Sequence, residues 1–428
     1  MFDPSAHDFY DPSAVEKEIR RVSDICHSCR RCYDLCPSFD VLFQALDRPG
    51  VDGEADRLEP ADLRRFSDLC YECKLCIPHC PYYPPHRWEV DVPRVVFRDR
   101  ASRVRNEGKL PLRERILSSA DAVGRIGTAA APVVNSVNES RWARVALEKT
   151  LGVHRDRLLP SFAAERFAAW WARRGGSKKP SPATAAAPAR DRVALFVTCS
   201  LNYNAPEVAR AAVAVLERNG CDVAVPDQRC CGMPYLENGD VDSAKECRYR
   251  NLEAFAPFVE AGYTVVAAGP TCSLTLKKEY PLLGSGDGGD RLAAATVDLS
   301  EYLMRRDAEG RLDRNFVRRP GKVVYHLPCH LKVQDIGFKS RDLLALIPGA
   351  EVVLVEACTG HDGTWSMKKE YFPISMDVGA PLFERVRSEK ADAVASDCPL
   401  AALQIKQGTG RTAKHPVQIL ADAYGLKP

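Results

Sequence analysis

The chain has 428 residues, 27% of them charged, and a formal net charge of +3. That length calls for two or three domains with separate cores, and that charge balance gives no reason to expect nucleic-acid binding. A membrane-spanning chain is excluded as well, because the most apolar stretch, 261–276, is too short and contains Pro270.

The amino terminus, MFDPSAHDFYDP, has neither a basic n-region nor an apolar h-region, so a reducing cytoplasmic location is expected. Seventeen cysteines in that setting read as metal ligands and not as disulfides.

Residues 1–100 hold eight of them. A helix signal comes first: Asp11 precedes Pro12 and a run of good helix formers to Ile25. CHSCRRCYDLCP then gives Cys26, Cys29, Cys32, Cys36 and Pro37, and CYECKLCIPHCP gives Cys70, Cys73, Cys76, Cys80 and Pro81. Both read C-x2-C-x2-C-x3-C-P, a motif in which three cysteines wrap one [4Fe-4S] cluster and the fourth reaches its neighbour. Cys26, Cys29, Cys32 and Cys80 are therefore expected to hold one cluster, and Cys36, Cys70, Cys73 and Cys76 the other. Structural zinc is the competing reading, but it uses separated C-x2-C pairs and asks for neither the third cysteine nor the proline. Between the motifs FDVLFQAL and PADLRRF read as helices, which makes this a helical ferredoxin domain.

Residues 101–174 contain no cysteine and read as a basic helical segment; from Asp91 to Arg190 the chain carries 20 Lys and Arg against 9 Asp and Glu. The segment ends in SFAAERFAAWWARR, with Ser161 as the expected N-cap and Phe167, Trp170 and Trp171 clustered at helical spacing. An aromatic face flanked by cations suits a membrane surface and suits a domain interface equally. Residues 175–191, beginning GGSKKPSPATAAAPAR, have the composition of a flexible linker.

From Arg192 short apolar runs alternate with helical stretches: VALFV, CDVAVP and TVVAAG, then KVVYH, EVVLVE and ADAVAS. The pattern predicts an α/β fold with a mainly parallel sheet, duplicated over 192–319 and 320–428. Each run leads to a cysteine. In the first repeat these are Cys199, Cys230, Cys231 and Cys272, four thiols at the carboxyl ends of strands, where ligands collect. In the second Thr359 follows Cys358 where a second cysteine is due, leaving Cys329, Cys358 and Cys398 with His330 and His361 beside them in sequence. Imidazole replaces thiolate in some iron centres, so His361 joins the three cysteines as a candidate ligand. A hydrogen-bonded structural role is the alternative for either histidine.

Cys-Cys-Gly repeats behind two C-x2-C-x2-C-x3-C-P motifs resemble the cysteine-rich domain family of heterodisulfide reductases and of glycolate, lactate and glycerol-3-phosphate oxidising complexes. The likeness extends to APVVNSV, YHLPCH, MKKEYF and VGAPLFERV. It implies an iron–sulfur electron-transfer subunit, peripheral on the cytoplasmic face of the membrane, without substrate turnover alone. Electrons would come from a flavoprotein dehydrogenase of the glycerol-3-phosphate type and go to the quinone pool in anaerobic respiration. It further implies one cluster in the first repeat and leaves open one in the second. Thr359, and Ala401 where a C-x2-C would finish, depart from the family pattern. A heterodisulfide-reductase-like or peroxide-linked oxidoreductase therefore stays as the alternative.

Two further signals are set aside. GSGDGG at 284–289 matches G-x-G-x-x-G, but no strand precedes it, and Asp287 and Asp290 would repel a pyrophosphate. Cys221 and Cys247 fit neither repeat and read as plain thiols.

Overall fold

A computed structural model describes residues 3–181 and 191–427. Most of the expected linker, 182–190, lies outside the described residues.

The amino-terminal unit is helical, over Pro12–Cys29, Pro37–Leu46, Pro60–Leu69, Cys76–His79 and Val92–Glu107. Asp11 caps the first helix, its carboxylate accepting from the Ala14 amide at 2.8 Å, and Pro12 fills the first position, where a missing N–H is harmless. The inward faces share a core that includes Val15, Ile19, Phe39, Phe43, Phe66 and Val96. FDVLFQAL and PADLRRF are helical as their patterns predict.

Four helices follow, Leu112–Ser118, Ala120–Ala129, Ala131–Glu139 and Arg141–Leu151. The stretch SFAAERFAAWWARR is helical only over Phe167–Arg173, and the residue before it, Arg166, makes no side-chain cap bond. Ser161 is therefore not an N-cap. Phe167 and Trp171 are 1% and 2% exposed and belong to the core of the first repeat. The Trp171 indole donates to the Ser177 carbonyl at 3.1 Å, and the Arg174 and Arg210 guanidiniums stand over Trp170. Of the two uses this aromatic face suits, the domain interface is the one realised. The exposed apolar side chains of the middle segment lie earlier, with Ile126, Val133 and Trp142 at 70%, 66% and 85%.

The carboxyl-terminal half has two parallel sheets. Strands β1 (Asp191–Phe196), β2 (Cys221–Ala224), β3 (Thr264–Ala267) and β4 (Thr296–Asp298) are ordered β2-β1-β3-β4. Strands β5 (Lys322–His326), β6 (Glu351–Val355) and β7 (Ala393–Ser396) are ordered β6-β5-β7. The six apolar runs are six of these strands, since strands buried on both faces read as continuous hydrophobic runs. β4 is three residues long, too short to stand out in sequence. Side chains of both repeats, among them Val193, Leu195, Val323 and Tyr325, share one core. In each sheet the first strand of the repeat is flanked by the second and third, so the three carboxyl ends, each followed by a cysteine loop, lie side by side. The 284–289 stretch is a loop running into the helix Gly288–Ala295.

Among the described residues no helix is long and apolar enough to cross a membrane.

Candidate functional site

In the first ferredoxin motif the helix Pro12–Cys29 carries Cys26 and Cys29 one turn apart and ends at Arg30. Arg30 and Asp34 have φ of 50° and 61°; in the second motif Glu72 and Lys74 have φ of 55° and 61°. Side chains with a Cβ are strained there, and at these bends the chain curls its cysteines inward. Cys26, Cys29, Cys32 and Cys80 line one small cavity with Phe39 and Phe43. Cys36, Cys70, Cys73 and Cys76 line a second, with Tyr71 and Val92. The fourth cysteine of each motif thus sits with the other motif's three. Among the described residues no three His, Cys, Asp or Glu side chains close on a point for a single ion. Four sulfurs spread round an apolar cavity fit a multi-iron cluster better than zinc. Burial pushes the Cys32 thiol up to about 12 and the Cys36 thiol to about 11, so a positive metal centre is what would hold these groups as thiolates.

In the first repeat Cys199 opens the helix Cys199–Tyr203, capped by the Thr198 hydroxyl, and Cys272 sits in the helix Pro270–Leu274. Cys230 and Cys231 precede Gly232, whose φ of +92° starts the helix Met233–Glu237. A Cβ at Gly232 would press on Cys247 at 3.2 Å, so the tight turn needs glycine. The four thiols stand in hydrogen-bonding succession, Cys199 to Cys230 to Cys231 to Cys272. Bonds from Cys230 and Cys272 hold the Cys231 thiol well below its usual range, while Cys230 and Cys272 are pushed up. Neighbours fix the loop: the Cys230 amide donates to Asp121 of the middle segment at 2.7 Å, and Tyr280 donates to the Cys231 carbonyl at 3.0 Å. Cys221, by contrast, is buried 3.5 Å from the Tyr302 hydroxyl.

In the second repeat Cys329 opens a short helix and Cys398 caps the helix Pro399–Thr409. The Cys358 sulfur accepts from the Gly360 amide at 3.3 Å and lies 3.6 Å from the Tyr71 hydroxyl of the second ferredoxin motif. Thr359 serves its own loop, its hydroxyl accepting from the His361 amide at 3.2 Å. His361 is buried, neither ring nitrogen has a hydrogen-bond partner among the described residues, and burial pulls its pKa down to about 3. Its two ring nitrogens are thus left free of protein hydrogen bonds among the described residues. The carboxyl common to the surroundings of Cys329, Cys358 and Cys398 is that of Asp362, which burial raises to about 8, and Asp397 acts on Cys398 as well. His330 has both nitrogens engaged, Nδ1 with the Thr271 hydroxyl at 2.9 Å and Nε2 with the Glu72 carbonyl at 3.1 Å. Its role is structural.

These bonds belong to a junction at which the second ferredoxin motif is wedged between the repeats. Lys74 Nζ is buried 3.2 Å from Glu279 and 3.5 Å from Glu72, and Arg94 pairs with Glu279 as well. The Arg100 guanidinium donates to the carbonyls of Ser67 at 2.6 Å, Glu237 at 2.8 Å and Cys70, and the Trp365 indole donates to that of Asp68 at 3.0 Å. Burial raises Cys73, and the charges of Cys329 and Cys358 add to it; Cys398 acts on Cys272 in the same sense. Sequence reasoning missed Glu72, Lys74, Glu237, Glu279 and Asp362, although three of them lie within four residues of a singled-out cysteine.

The profile of a cysteine-rich domain matches residues 193–277 and 323–406, and that of the Fer4-like domain of citrate utilization protein B matches 19–106. The chain is 33% identical over 318 residues to a subunit of the anaerobic glycerol-3-phosphate dehydrogenase of Escherichia coli (strain K12), covering 73% of this chain and 77% of the relative. It is 32% identical over 235 residues to a subunit of the fumarate reductase (CoM/CoB) of Methanothermobacter marburgensis, covering 54% and 44%. It is 33% identical over 241 residues to lactate utilization protein A of Geobacillus thermodenitrificans, covering 54% and 95%.

Proposed function

Because the chain belongs to the iron–sulfur protein family of that anaerobic glycerol-3-phosphate dehydrogenase subunit, we propose that it carries electrons between a flavin-dependent dehydrogenase and the membrane quinone pool. The Escherichia coli relative is part of a glycerol-3-phosphate dehydrogenase, which supports a partner chain that oxidises glycerol 3-phosphate. Cys26, Cys29, Cys32 and Cys80 would hold one [4Fe-4S] cluster, and Cys36, Cys70, Cys73 and Cys76 another. Cys199, Cys230, Cys231 and Cys272 would hold a third iron–sulfur group, and Cys329, Cys358 and Cys398 an open or vacant site. Such groups supply storage of one electron at a time.

The observation that carries the reading is the junction, where Tyr71 of the second motif lies 3.6 Å from Cys358 and His330 ties the Glu72 backbone to Thr271. The protein's own groups thus hold the cysteine sets close and dry. Exposed Ile126, Val133 and Trp142, with exposed Arg125 and Arg141 among them, would rest on the cytoplasmic face of an anionic bilayer. The test is anaerobic purification with iron and acid-labile sulfide determination and EPR during reductive titration. Three clusters are expected, two would take the repeats out of the path, and an iron-free protein would sink the reading.

A further inference from the structure

A cavity of about 370 Å³ opens beside the junction, a size suited to a small ligand. Its lining includes Glu237, Asn238, Asp362 and Tyr71 together with Leu110, Pro111 and Tyr371. Glu237 and Asp362 are each 8% exposed, and neither carboxyl has a hydrogen-bond or ion-pair partner among the described residues. A Cβ on Gly363 would run into the Glu237 carboxyl, so glycine there lets the acid reach the Asp362 loop. Burial and the facing Asp362 carboxyl raise Glu237 well above the usual carboxylate range and outweigh the nearby Arg100, and a neutral carboxyl donates a hydrogen bond. Most of the cations that line the cavity are engaged: Arg103 pairs with Asp68 and Asp99, Arg113 with Glu114 and Glu370, Lys368 with Glu114, Arg64 with Asp68 at 3.7 Å, and Arg100 donates to backbone carbonyls, while Lys109 is exposed. One wall is aromatic, with Tyr371 stacked on Trp365 at 4.7 Å and Trp365 against Tyr71 at 5.1 Å. The Tyr71 hydroxyl leads to Cys358 at 3.6 Å. Leu112, between cavity-lining Pro111 and Arg113, is 58% exposed and begins the series of exposed apolar side chains that continues to Trp142.

We propose that this cavity binds the headgroup of a quinone-class acceptor, with its flat ring along Trp365 and Tyr371 and a carbonyl oxygen at the Glu237 carboxyl, which donates the proton. The proposal rests on the electron-carrier reading above and gives that reading a terminus. The ligand gains two electrons, one at a time, from the reduced iron–sulfur protein, and two protons. Each C=O becomes C–OH, and Glu237 is reprotonated from water at the mouth between the two transfers.

The probe is 2-methyl-1,4-naphthoquinone, which has no tail, added to the anaerobic iron-loaded protein. Tryptophan fluorescence reports binding, and dithionite-reduced protein reports turnover. Ferricyanide, which takes one electron and no proton, serves as the control acceptor. Saturable quenching is expected, weakened about tenfold in Tyr371→Ala with unchanged ferricyanide reduction. Glu237→Gln should bind within twofold of wild type yet lose at least tenfold of kcat toward the naphthoquinone, again with ferricyanide reduction intact. Iron content shows whether each variant folds, and Tyr371→Ala carries the test if Glu237→Gln does not. Unsaturable quenching, or folded variants that behave as wild type, overturns the site while ferricyanide reduction keeps the electron-carrier reading. Failure with ferricyanide as well overturns both.

Discussion

Thr359 and Cys231 occupy the same place in the two repeats, and what their side chains touch separates the two loops. Cys231 lies between Cys230 and Cys272, which lower its pKa, and completes a set of four sulfurs. Thr359 turns its hydroxyl to the His361 amide, leaving three cysteines with the Asp362 carboxyl nearby. The two sites are thus unequal at a single ligand position. Replacing Cys231 with Ser exchanges a thiolate ligand for a poor one, so the variant should lose one cluster's worth of iron and one EPR signal while the ferredoxin pair titrates unchanged. An unaltered spectrum would remove Cys231 from any cluster.

At the scale of elements, two helical stretches of the middle segment divide the work that sequence assigned to one. The helix Phe167–Arg173 buries Phe167 and Trp171 in the first repeat, whereas Ala120–Ala129, Ala131–Glu139 and the start of Arg141–Leu151 leave Ile126, Val133 and Trp142 in solvent. An apolar side chain transferred out of water contributes about 1.5–3 kcal/mol, so even partial insertion of three gives measurable lipid affinity. The triple variant Ile126→Ser, Val133→Ser, Trp142→Ser should bind anionic vesicles at least tenfold more weakly in a sedimentation assay without a lower melting temperature. Trp171→Ala should instead destabilise the fold by about 3–5 kcal/mol. Equal vesicle binding by the triple variant would place the membrane contact elsewhere. The aromatic stripe misled for a physical reason: spacing records that Phe167 and Trp171 share a face, and lipid and a protein core satisfy that face alike. The strands were legible because burial on both sides wrote them as unbroken apolar runs, and the cysteine sets because ligand spacing is a short-range constraint. Glu237 and Asp362 were not legible, being 125 residues apart in the chain and of a type that ordinarily faces water.

On the scale of the whole molecule, the ferredoxin unit and the first repeat are held together by charge in a dry place. Glu279 is 2% exposed between Lys74 and Arg94. Burial raises its pKa, but Arg94 and then Lys74 outweigh that and hold it down to about 2, while Glu279 and Glu72 hold Lys74 up to about 12 despite its own burial. An acid whose folded pKa is depressed contributes stability that is fully present above its ordinary value of 4.5 and lost as pH falls toward 2. A lysine whose folded pKa is raised contributes stability that is present below 10.5 and lost as pH rises toward 12. Between those limits both groups keep their charges in either state, so the contact adds no slope to stability. Removing the acid takes from buried Lys74 and Arg94 the carboxylate they share, a change of about 3–5 kcal/mol. Glu279→Gln should therefore melt well below wild type, by a difference that stays constant from pH 6 to pH 9. A difference that grows or shrinks across that range would mean that Lys74 or Glu279 already titrates there, and that the cysteine sites are held together by other contacts.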